Sequence, residues 1–389
     1  MKILMLNYEF PPIGGGAANA HKCLLQQYAG NSSLKIDVLT SAPSGTGFQP
    51  VKHGQDGRAT LIKEKFADNI TIYKVGLHKK QLHYWRKTEV LEWLLKAGFH
   101  YRRLLRENDY DLAHAFFGFP TGWLCYRRSH KLPYIISLRG SDVPGEHARL
   151  KLDYKILGPA FRAIWKKASA LVANSEGLKN RALKFMPSAE IDVIPNGVEL
   201  ERFNPAQTTS ESQTIRLLTV GRLSVTKRMD ILINAVDILK NKGCKILLKI
   251  VGGGQTQQKL KQIVNEKKLD NIIEIAGRID AEDMPRVYRQ NNIFISASKL
   301  EGMSNAMLEA MASGLPIIAA RCEGTEELIA ENGLVIENAN AEEIAKAIKK
   351  LIDDRQLRNQ MSIAARQRAQ QFTWGRIAEQ YLNLYERVK

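Results

Sequence analysis

Two glutamates with seven residues between them are the side chains of this sequence best placed to bind a polar ligand. Glu301 and Glu309 flank a polar turn, Gly302-Met303-Ser304-Asn305, which follows a short apolar run at residues 292–296. Residues 306–312 are strong helix formers, so the predicted order is strand, turn and helix. The first backbone N–H groups of such a helix lack partners and suit a phosphate or a sugar hydroxyl. The two carboxylates would then meet opposite ends of one ligand; two surface glutamates beside an ordinary capped helix are the alternative.

A pair of cations occupies an earlier loop of the same half of the chain. Arg222 and Lys227 lie five positions apart, directly after the apolar run at residues 215–220. They would stand at the mouth of a sheet, beside the next helix, where a departing diphosphate needs its growing negative charge neutralised. From spacing alone, two solvated basic residues remain the alternative.

Two loops of the first half contain further candidates. Gly14-Gly15-Gly16 follows the first apolar run and opens a helix, so its backbone can come within hydrogen-bond reach of an anion. It does not match the GxGxxG fingerprint, and a plain flexible turn is an equal alternative. Arg139-Gly140-Ser141-Asp142 follows another predicted strand, where Asp142 either caps the next helix or contacts substrate hydroxyls.

The sequence predicts no metal site. Asp109-Tyr110-Asp111 matches the DxD signature of some sugar transferases, but it precedes a strand rather than following one, so we interpret it as structural. The four cysteines are scattered and form no CxxC pair, which argues against a zinc site or a disulfide framework and fits a reducing compartment. We therefore expect no cofactor.

The elements that position these loops form a repeated pattern. Residues 2–6 and residues 215–220 are each an apolar strand followed by a loop and a helix, at residues 17–28 and 229–239. This is the first unit of a doubly wound parallel sheet, present twice. Further buried strands are predicted at residues 36–40, 112–115, 134–138, 170–173, 245–251, 272–275 and 316–319.

Two Rossmann-like α/β domains facing a cleft are therefore predicted. The first spans residues 1–198, the second spans residues 199–373, and the polar stretch around residues 207–212 reads as a linker. A last helix at residues 374–389 would complete the first domain. In parallel sheets, ligands bind outside the carboxyl ends of the strands, which is where the candidate loops lie.

Charge is strong and uneven along the 389 residues. The net charge is +17, and residues 1–199 carry +12 of it, concentrated at residues 78–87 and 101–106. Between these runs an amphipathic helix is predicted, with apolar residues at 90, 91, 93, 94, 95 and 99. It could pack on its own domain, dock on an anionic membrane surface, or bind nucleic acid. Nucleic acid is the weakest of the three, because no RNP-like, KH-like or zinc-finger pattern accompanies the charge.

Composition and hydropathy indicate a soluble globular protein. Apolar residues make up 44% of the chain and charged residues 25%, as in ordinary cytoplasmic domains. The start of the chain has too short an apolar run for a signal peptide, and no stretch approaches a membrane span. We expect a cytoplasmic protein, peripheral on the inner face of the membrane if the basic helix docks there.

Taken together, these motifs resemble the family 4 glycosyltransferases, which have the GT-B fold. The resemblance covers nearly the whole chain and includes Val193-Ile194-Pro195-Asn196-Gly197-Val198 and Val220-Gly221-Arg222-Leu223 with Lys227. Glu301 and Glu309 fit the E-x7-E signature of that family. The resemblance implies retaining transfer of a hexose-type sugar from a nucleotide-diphosphate sugar, held mainly by the second domain.

The resemblance also implies a role for each site residue. Arg222 and Lys227 would bind the diphosphate, Glu309 the ribose, and Glu301 with the backbone of residues 302–305 the sugar and phosphate. The base would be contacted near Arg278. The implied catalytic residues are Arg139, Arg222, Lys227 and Glu301, and the implied donor-binding residues are Gly15, Gly16, Asp142, Arg278, Gly302, Met303, Ser304, Asn305 and Glu309.

Two positions depart from the family pattern. Many members have His where this chain has Arg139, and because arginine cannot serve as a general base, its role would be electrostatic. Arg228 stands where Gly commonly follows the phosphate-binding lysine, which adds a third cation to that loop. In a retaining reaction the leaving phosphate can itself take the acceptor proton, so a catalytic carboxylate is not required.

The hypothesis from sequence is a retaining glycosyltransferase whose partners are a nucleotide sugar and a lipid-linked or polysaccharide acceptor. A transferase that builds a soluble glycoside is the first alternative. A basic nucleotide- or nucleic-acid-binding protein without catalysis is the second. The donor base, the sugar and the linkage leave no signature in the sequence.

Overall fold

A computed structural model describes residues 1–44, 61–82, 84–145, 151–206 and 214–389. The chain divides into two compact units: Met1–Pro195 together with Ile377–Lys389 forms the first, and Asn196–Arg376 forms the second. The predicted linker at residues 207–212, and His83 in the basic stretch, lie outside the described residues.

The first unit contains an eight-stranded sheet in the order β3-β4-β2-β1-β5-β6-β7-β8. Every neighbouring pair is parallel except β3 and β4, which are antiparallel at one edge. The strands are β1 (Lys2–Leu6), β2 (Lys35–Ser44), β3 (Leu61–Ala67), β4 (Ile70–His78), β5 (Leu112–Phe116), β6 (Tyr134–Leu138), β7 (Ala170–Ala173) and β8 (Ile191–Val193).

Five helices cover this sheet, and the last helix of the chain returns to it. They are α1 (Gly16–Tyr28), α2 (Lys87–Glu107), α3 (Thr121–Tyr126), α4 (Lys151–Lys167) and α5 (Glu176–Phe185), with α13 (Trp374–Val388) at the end of the chain. In α13, Tyr385 hydrogen-bonds His114 on β5 at 2.8 Å, and Tyr381 hydrogen-bonds Ser137 on β6 at 2.9 Å. Buried polar contacts of this kind anchor the helix to the first unit.

The second unit contains a six-stranded, fully parallel sheet in the order β11-β10-β9-β12-β13-β14. Its strands are β9 (Ile215–Val220), β10 (Ile246–Val251), β11 (Ile273–Gly277), β12 (Ile293–Ser296), β13 (Ile317–Ala320) and β14 (Gly333–Ile336). Its helices are α6 (Met229–Asn241), α7 (Gln257–Glu266), α8 (Met284–Arg289), α9 (Asn305–Ala312), α10 (Thr325–Leu328), α11 (Ala341–Asp353) and α12 (Arg355–Ala369).

Each sheet reverses its strand order at its first strand. In the first unit β1 lies between β2 and β5, and in the second unit β9 lies between β10 and β12. The loops after β1 and β5, and after β9 and β12, therefore diverge to opposite sides of each sheet. Ligands of doubly wound sheets bind at such a switch point, outside the carboxyl ends of the strands.

Most predicted strands are confirmed, several of them with identical bounds. Residues 2–6, 134–138, 170–173 and 215–220 form strands as expected. The strands β3, β4, β8 and β14 were not predicted. β3 has three consecutive charged residues, Lys63, Glu64 and Lys65, between two apolar pairs, so it shows no strand alternation. β8 and β14 have only three and four residues, too few for a periodic signal.

The basic amphipathic helix is also confirmed, as α2. Its residues Trp93, Ala97 and Tyr101 are buried against the first unit, so part of the apolar stripe packs on its own domain. Leu91, Leu95 and Phe99 form a second stripe that is exposed. Among the residues described, none of the helices combines the length and hydrophobicity that spanning a membrane requires.

Candidate functional site

The switch point of the second sheet holds an ion pair between two predicted site residues. Lys227 ends a 3-10 turn in the loop after β9, and Glu301 lies in the loop after β12. Nζ of Lys227 donates a hydrogen bond to Oε2 of Glu301, although the residues are 74 positions apart. The backbone joins the same loops, because the N–H of Lys299 donates to the carbonyl of Thr226 over 2.9 Å. Both charged side chains stay about one-fifth exposed, so a ligand can reach them.

Arg228 adds a cation that is anchored to the sheet. Its Nε donates to the carbonyl oxygen of Ala297, at the end of β12, over 2.7 Å. The backbone of Arg228 has φ 47° and ψ 46°, the left-handed region that favours glycine. This conformation gives a physical reason for the glycine that is common at this position. Arg222 lies exposed in the same loop, and no hydrogen bond to another described residue involves its side chain.

Two glycines let the neighbouring loop, after β10, lie against the β9 loop. A Cβ on Gly252 would stand 1.9 Å from the carbonyl oxygen of Gly221, and one on Gly254 would stand 2.2 Å from that of Leu223. Arg278, after β11, is exposed and lies beside Gly253. The predicted residues Arg222 and Arg278 therefore lie on adjoining loops of one sheet edge.

In the turn before α9, the side chains of Ser304 and Met303 contact the protein itself. Oγ of Ser304 accepts a hydrogen bond from the N–H of Met307 and caps the helix. Met303 is buried. Within the described part of the chain, no hydrogen bond uses the backbone N–H of Gly302, Met303 or Ser304. The backbone of this turn, rather than its side chains, is therefore available to a ligand.

Asn196 supports this turn, and the sequence did not single it out as a site residue. Its side-chain amide donates to Oδ1 of Asn305 over 2.8 Å, and its backbone N–H contacts Sδ of Met303 at 3.2 Å. The motif that contains Asn196 was noted only as part of the resemblance. Because the two residues are 109 positions apart, the local sequence pattern could not predict this contact.

Glu309 lies one turn into α9 and is held by a buried tyrosine. The hydroxyl of Tyr288 donates to Oε2 of Glu309 over 2.8 Å. Burial raises the pKa of Glu309 to about 7; the Tyr288 hydrogen bond and nearby Arg202 lower it, and Glu199 raises it further. At neutral pH the carboxyl is thus divided between its neutral and ionised forms.

In the first unit, the predicted residues lie in the loops after β1 and β6. Gly15 precedes α1, which begins at Gly16. Asp142 does not cap a helix, as had been one expectation. Its oxygens accept hydrogen bonds from the N–H groups of Gly118, over 2.7 Å, and Arg139, over 2.8 Å. Asp142 thus organises two strand-end loops, and its contact with substrate stays a prediction.

Arg139 lies over the ring of Phe116, close to two imidazole rings. Its guanidinium lies 4.8 Å from the ring centre of Phe116, on which His21 and His114 stack at 4.1 and 4.3 Å. Burial lowers the pKa of His21 to about 3, with Arg139 acting in the same direction. The imidazoles near this cation are therefore neutral.

The tautomer of His21 follows from its neighbour Asn7. Oδ1 of Asn7 accepts the N–H of Glu9 over 3.0 Å, so its amide nitrogen faces Nδ1 of His21 at 3.3 Å. Nδ1 then accepts and Nε2 carries the proton. The sequence analysis missed His21; its signal was a polar residue on the apolar face of α1, directly after the glycine run.

Metal-ligating groups do not gather within the described residues: no three His, Cys, Asp or Glu side chains there are arranged to hold an ion. The DxD-like pair lies at the opposite edge of the first sheet, where Oδ2 of Asp111 accepts the N–H of Lys2 over 2.7 Å. Its predicted structural role agrees with this contact. Metal independence itself stays a prediction.

Comparison with known families accounts for nearly the whole chain. Residues 35–202 match the family model described as Glycosyltransferase Family 4, and residues 201–368 match Glycosyl transferases group 1. The chain is a glycosyltransferase with a family 4 domain followed by a group 1 domain. A glycosyltransferase of Methanocaldococcus jannaschii, MJ1069, is 31% identical over 249 residues, and the match spans 61% of this chain and 63% of that protein, slightly less than two thirds of its length.

Solved structures confirm the predicted GT-B fold. Sucrose-phosphate synthase from Thermosynechococcus elongatus superposes with a TM-score of 0.82 at 20% identity, over 100% of this chain and 98% of that one. Anabaena HepE in complex with UDP and glucose gives a TM-score of 0.72 at 19% identity, over 99% of both chains. At such identities the likeness establishes the fold of this glycosyltransferase, and its substrates must be argued from its own residues.

Proposed function

We propose that this glycosyltransferase transfers a hexose-type sugar from a nucleotide-diphosphate sugar, with retention of the anomeric configuration. The observation that carries the proposal is the Lys227–Glu301 pair at the switch point of the second sheet. A cation for the diphosphate and a carboxylate for the sugar hydroxyls stand there side by side. The complex of HepE, which shares the fold, with UDP and glucose supports a donor of this class.

Each donor group has a residue of matching chemistry. Arg222 and Lys227 neutralise the diphosphate, and the backbone N–H groups of residues 302–304 add uncharged donors. Glu301 accepts from sugar hydroxyls, and Glu309 accepts from the ribose. Arg278 lies beside the base. Because two cations supply the positive charge, the diphosphate needs no metal ion.

In the transfer step the bond between the sugar C1 and the diphosphate oxygen breaks. The acceptor hydroxyl forms the new C1–O bond on the same face, and the departing phosphate oxygen takes the acceptor proton. Negative charge grows on the leaving diphosphate, where Arg222 and Lys227 stabilise the transition state more than the ground state. Arg139, in the first unit, contributes positive charge without exchanging a proton.

The acceptor is proposed to be lipid-linked or a polysaccharide presented at a membrane surface. On α2, the side chains of Leu91, Leu95 and Phe99 are 57%, 70% and 48% exposed and recur every fourth residue. The exposed cations Arg102, Arg103 and Arg106 continue this surface along the helix. An apolar stripe with a basic flank matches an anionic lipid surface.

Donor consumption tests the transferase reaction. The protein is incubated with the glucose conjugates of UDP, GDP and ADP in the presence of EDTA, and sugar release or transfer is followed by proton NMR. With water as the acceptor, we expect turnover with one base and release of glucose that is at first the α-anomer when the donor is α-linked. Initial release of the β-anomer would contradict retention, and turnover that requires added magnesium would contradict the metal-free site.

Vesicle sedimentation tests the acceptor side. We expect binding to phosphatidylglycerol-containing vesicles but not to pure phosphatidylcholine, and about tenfold weaker binding after Leu95→Gln combined with Leu91→Gln, because each buried CH₂ contributes about 0.8 kcal/mol. Ile363→Gln is the matched control, since Ile363 is 61% exposed on α12 of the second unit. Equal binding by all variants would remove the membrane surface from the proposal.

A further inference from the structure

A hydrogen bond between α8 and α9 engages only one carboxylate oxygen of Glu309. The hydroxyl of Tyr288 donates to Oε2 over 2.8 Å. Tyr288 is fully buried, whereas Glu309 remains partly exposed. Within the described residues no hydrogen bond uses Oε1 of Glu309. One oxygen is therefore fixed by the protein while the second can meet a ligand.

Packing holds the tyrosine in place. Its ring meets Phe203 edge-on with centroids 5.7 Å apart, and lies 6.4 Å from Phe294 of β12. Burial raises the pKa of Tyr288, so its hydroxyl stays protonated and has one proton to donate. A fixed donor sets the plane of the carboxyl group that accepts from it.

We propose that Tyr288 is a positioning residue for donor binding, which holds Oε2 of Glu309 so that Oε1 accepts from the ribose hydroxyls. This inference rests on the proposed function, in which Glu309 contacts the ribose. Tyr288 acts through Glu309 and does not itself touch the nucleotide.

The same hydrogen bond keeps more of Glu309 ionised at neutral pH. The groups that set its charge are Tyr288 on α8, and Arg202 and Glu199 on the segment before β9. The hydrogen bond from Tyr288 stabilises the carboxylate form, which accepts from hydroxyls better than the neutral acid does. Without that bond the pKa of Glu309 rises further, and a smaller fraction of the carboxyl is ionised at neutral pH.

The test compares nucleotides with and without ribose hydroxyls. Calorimetry at pH 7 and pH 8.5 measures UDP, GDP and ADP, and their 2′,3′-dideoxy counterparts, on wild type and Tyr288→Phe. For the ribonucleotide that binds wild type, we expect about fivefold weaker binding to the variant at pH 7. A smaller loss should persist at pH 8.5, where Glu309 is mostly ionised in both proteins and only the orientation of its carboxylate differs. Its dideoxy counterpart should change less than twofold.

Matched variants separate positioning from general damage to the fold. Tyr28→Phe is the control, because Tyr28 is also buried and donates to the carbonyl of Ala378 in the first unit; it should leave nucleotide affinity unchanged. Glu309→Gln keeps an oxygen acceptor for Tyr288 but cannot ionise, so its affinity should depend on pH less than that of wild type does.

Each result decides a different claim. Equal loss of the ribonucleotide and dideoxy forms in Tyr288→Phe, or pH dependence in Glu309→Gln as large as in wild type, would overturn the role of Tyr288 and leave the proposed function standing. Failure of wild type to bind any of the three ribonucleotides would overturn the proposed function itself.

Discussion

The switch points of the two sheets have the same arrangement of strands but different side chains. In the second unit, the loop after β9 carries Arg222, Lys227 and Arg228, and the loop after β12 brings Glu301 to Lys227. In the first unit, the corresponding loops are aromatic: Tyr8, after β1, packs on Phe117, after β5, with ring centroids 4.8 Å apart.

This difference in side chains indicates that the two units, which have similar sheets, contribute differently to the proposed reaction. Cations that are partly exposed at strand ends favour a ligand with concentrated negative charge, such as a diphosphate. A buried aromatic cluster cannot neutralise a negatively charged ligand. Instead it packs against the loop that contains Arg139 and Asp142. In the proposed reaction, the charged edge binds the leaving diphosphate, and the aromatic edge holds the loop that carries Arg139.

The largest effect is expected from the charged edge. Lys227→Ala should lower turnover at least about a hundredfold, as loss of one transition-state charge contact typically does. Lys299→Ala is the control, because this neighbouring exposed lysine contributes only its backbone to the loop contact. Steady-state kinetics with circular dichroism checks both variants; comparable losses in the two would mean that general positive charge, not Lys227, is required.

Removing the positive charge of Arg139 at the aromatic edge should have a different effect from removing that of Lys227. Arg139→Ala is expected to lower turnover about tenfold to a hundredfold while nucleotide affinity stays within about twofold, since the diphosphate cations belong to the other unit. Comparing kcat with the calorimetric Kd measures the split. A loss of nucleotide affinity equal to that of Lys227→Ala would erase the proposed difference between the two edges.

The third effect is on stability and depends on pH. The pKa of Glu309 is raised in the folded state to about 7 from an ordinary 4.5. Because the folded protein favours the neutral carboxyl, the contribution of Glu309 to the free energy of unfolding is fully present below pH 4.5. It is lost as the pH rises through 7. Glu309→Gln removes this loss, so the gain in unfolding free energy of the second unit should be about 3 kcal/mol larger at pH 8 than at pH 4.5.

Urea unfolding of wild type and Glu309→Gln at the two pH values measures this difference. A gain of the same size at both pH values would show that the substitution acts through packing, and that Glu309 is not held above its ordinary pKa.

Sequence patterns predicted the fold and the charged edge because both depend on local order. Strand, turn and helix follow one another around Lys227 and around Glu301, and parallel strands bring such loops to one edge. The sequence therefore predicted that both loops lie at the carboxyl ends of strands, but it did not predict the ion pair between the two side chains.

The residues that hold the site residues in place could not be predicted from local order. Tyr288 reaches Glu309 across 21 positions and Asn196 reaches Asn305 across 109, and neither contact repeats with a helix or strand period. The left-handed backbone of Arg228 was likewise hidden, because an arginine there gives no signal of the conformation that glycine would have suggested. The edge strand β3 gave no strand signal either, because its three central residues are all charged.

The central claim is that the switch point of the second sheet binds a nucleotide diphosphate through Lys227 without a metal ion. Calorimetric titration of wild type and Lys227→Ala with UDP, GDP and ADP in EDTA tests it most directly. The account predicts that one of the three nucleotides binds wild type and binds the variant at least about tenfold more weakly, as loss of a charge-assisted hydrogen bond implies. Binding that appears only with magnesium, or equal binding by both proteins, would contradict it.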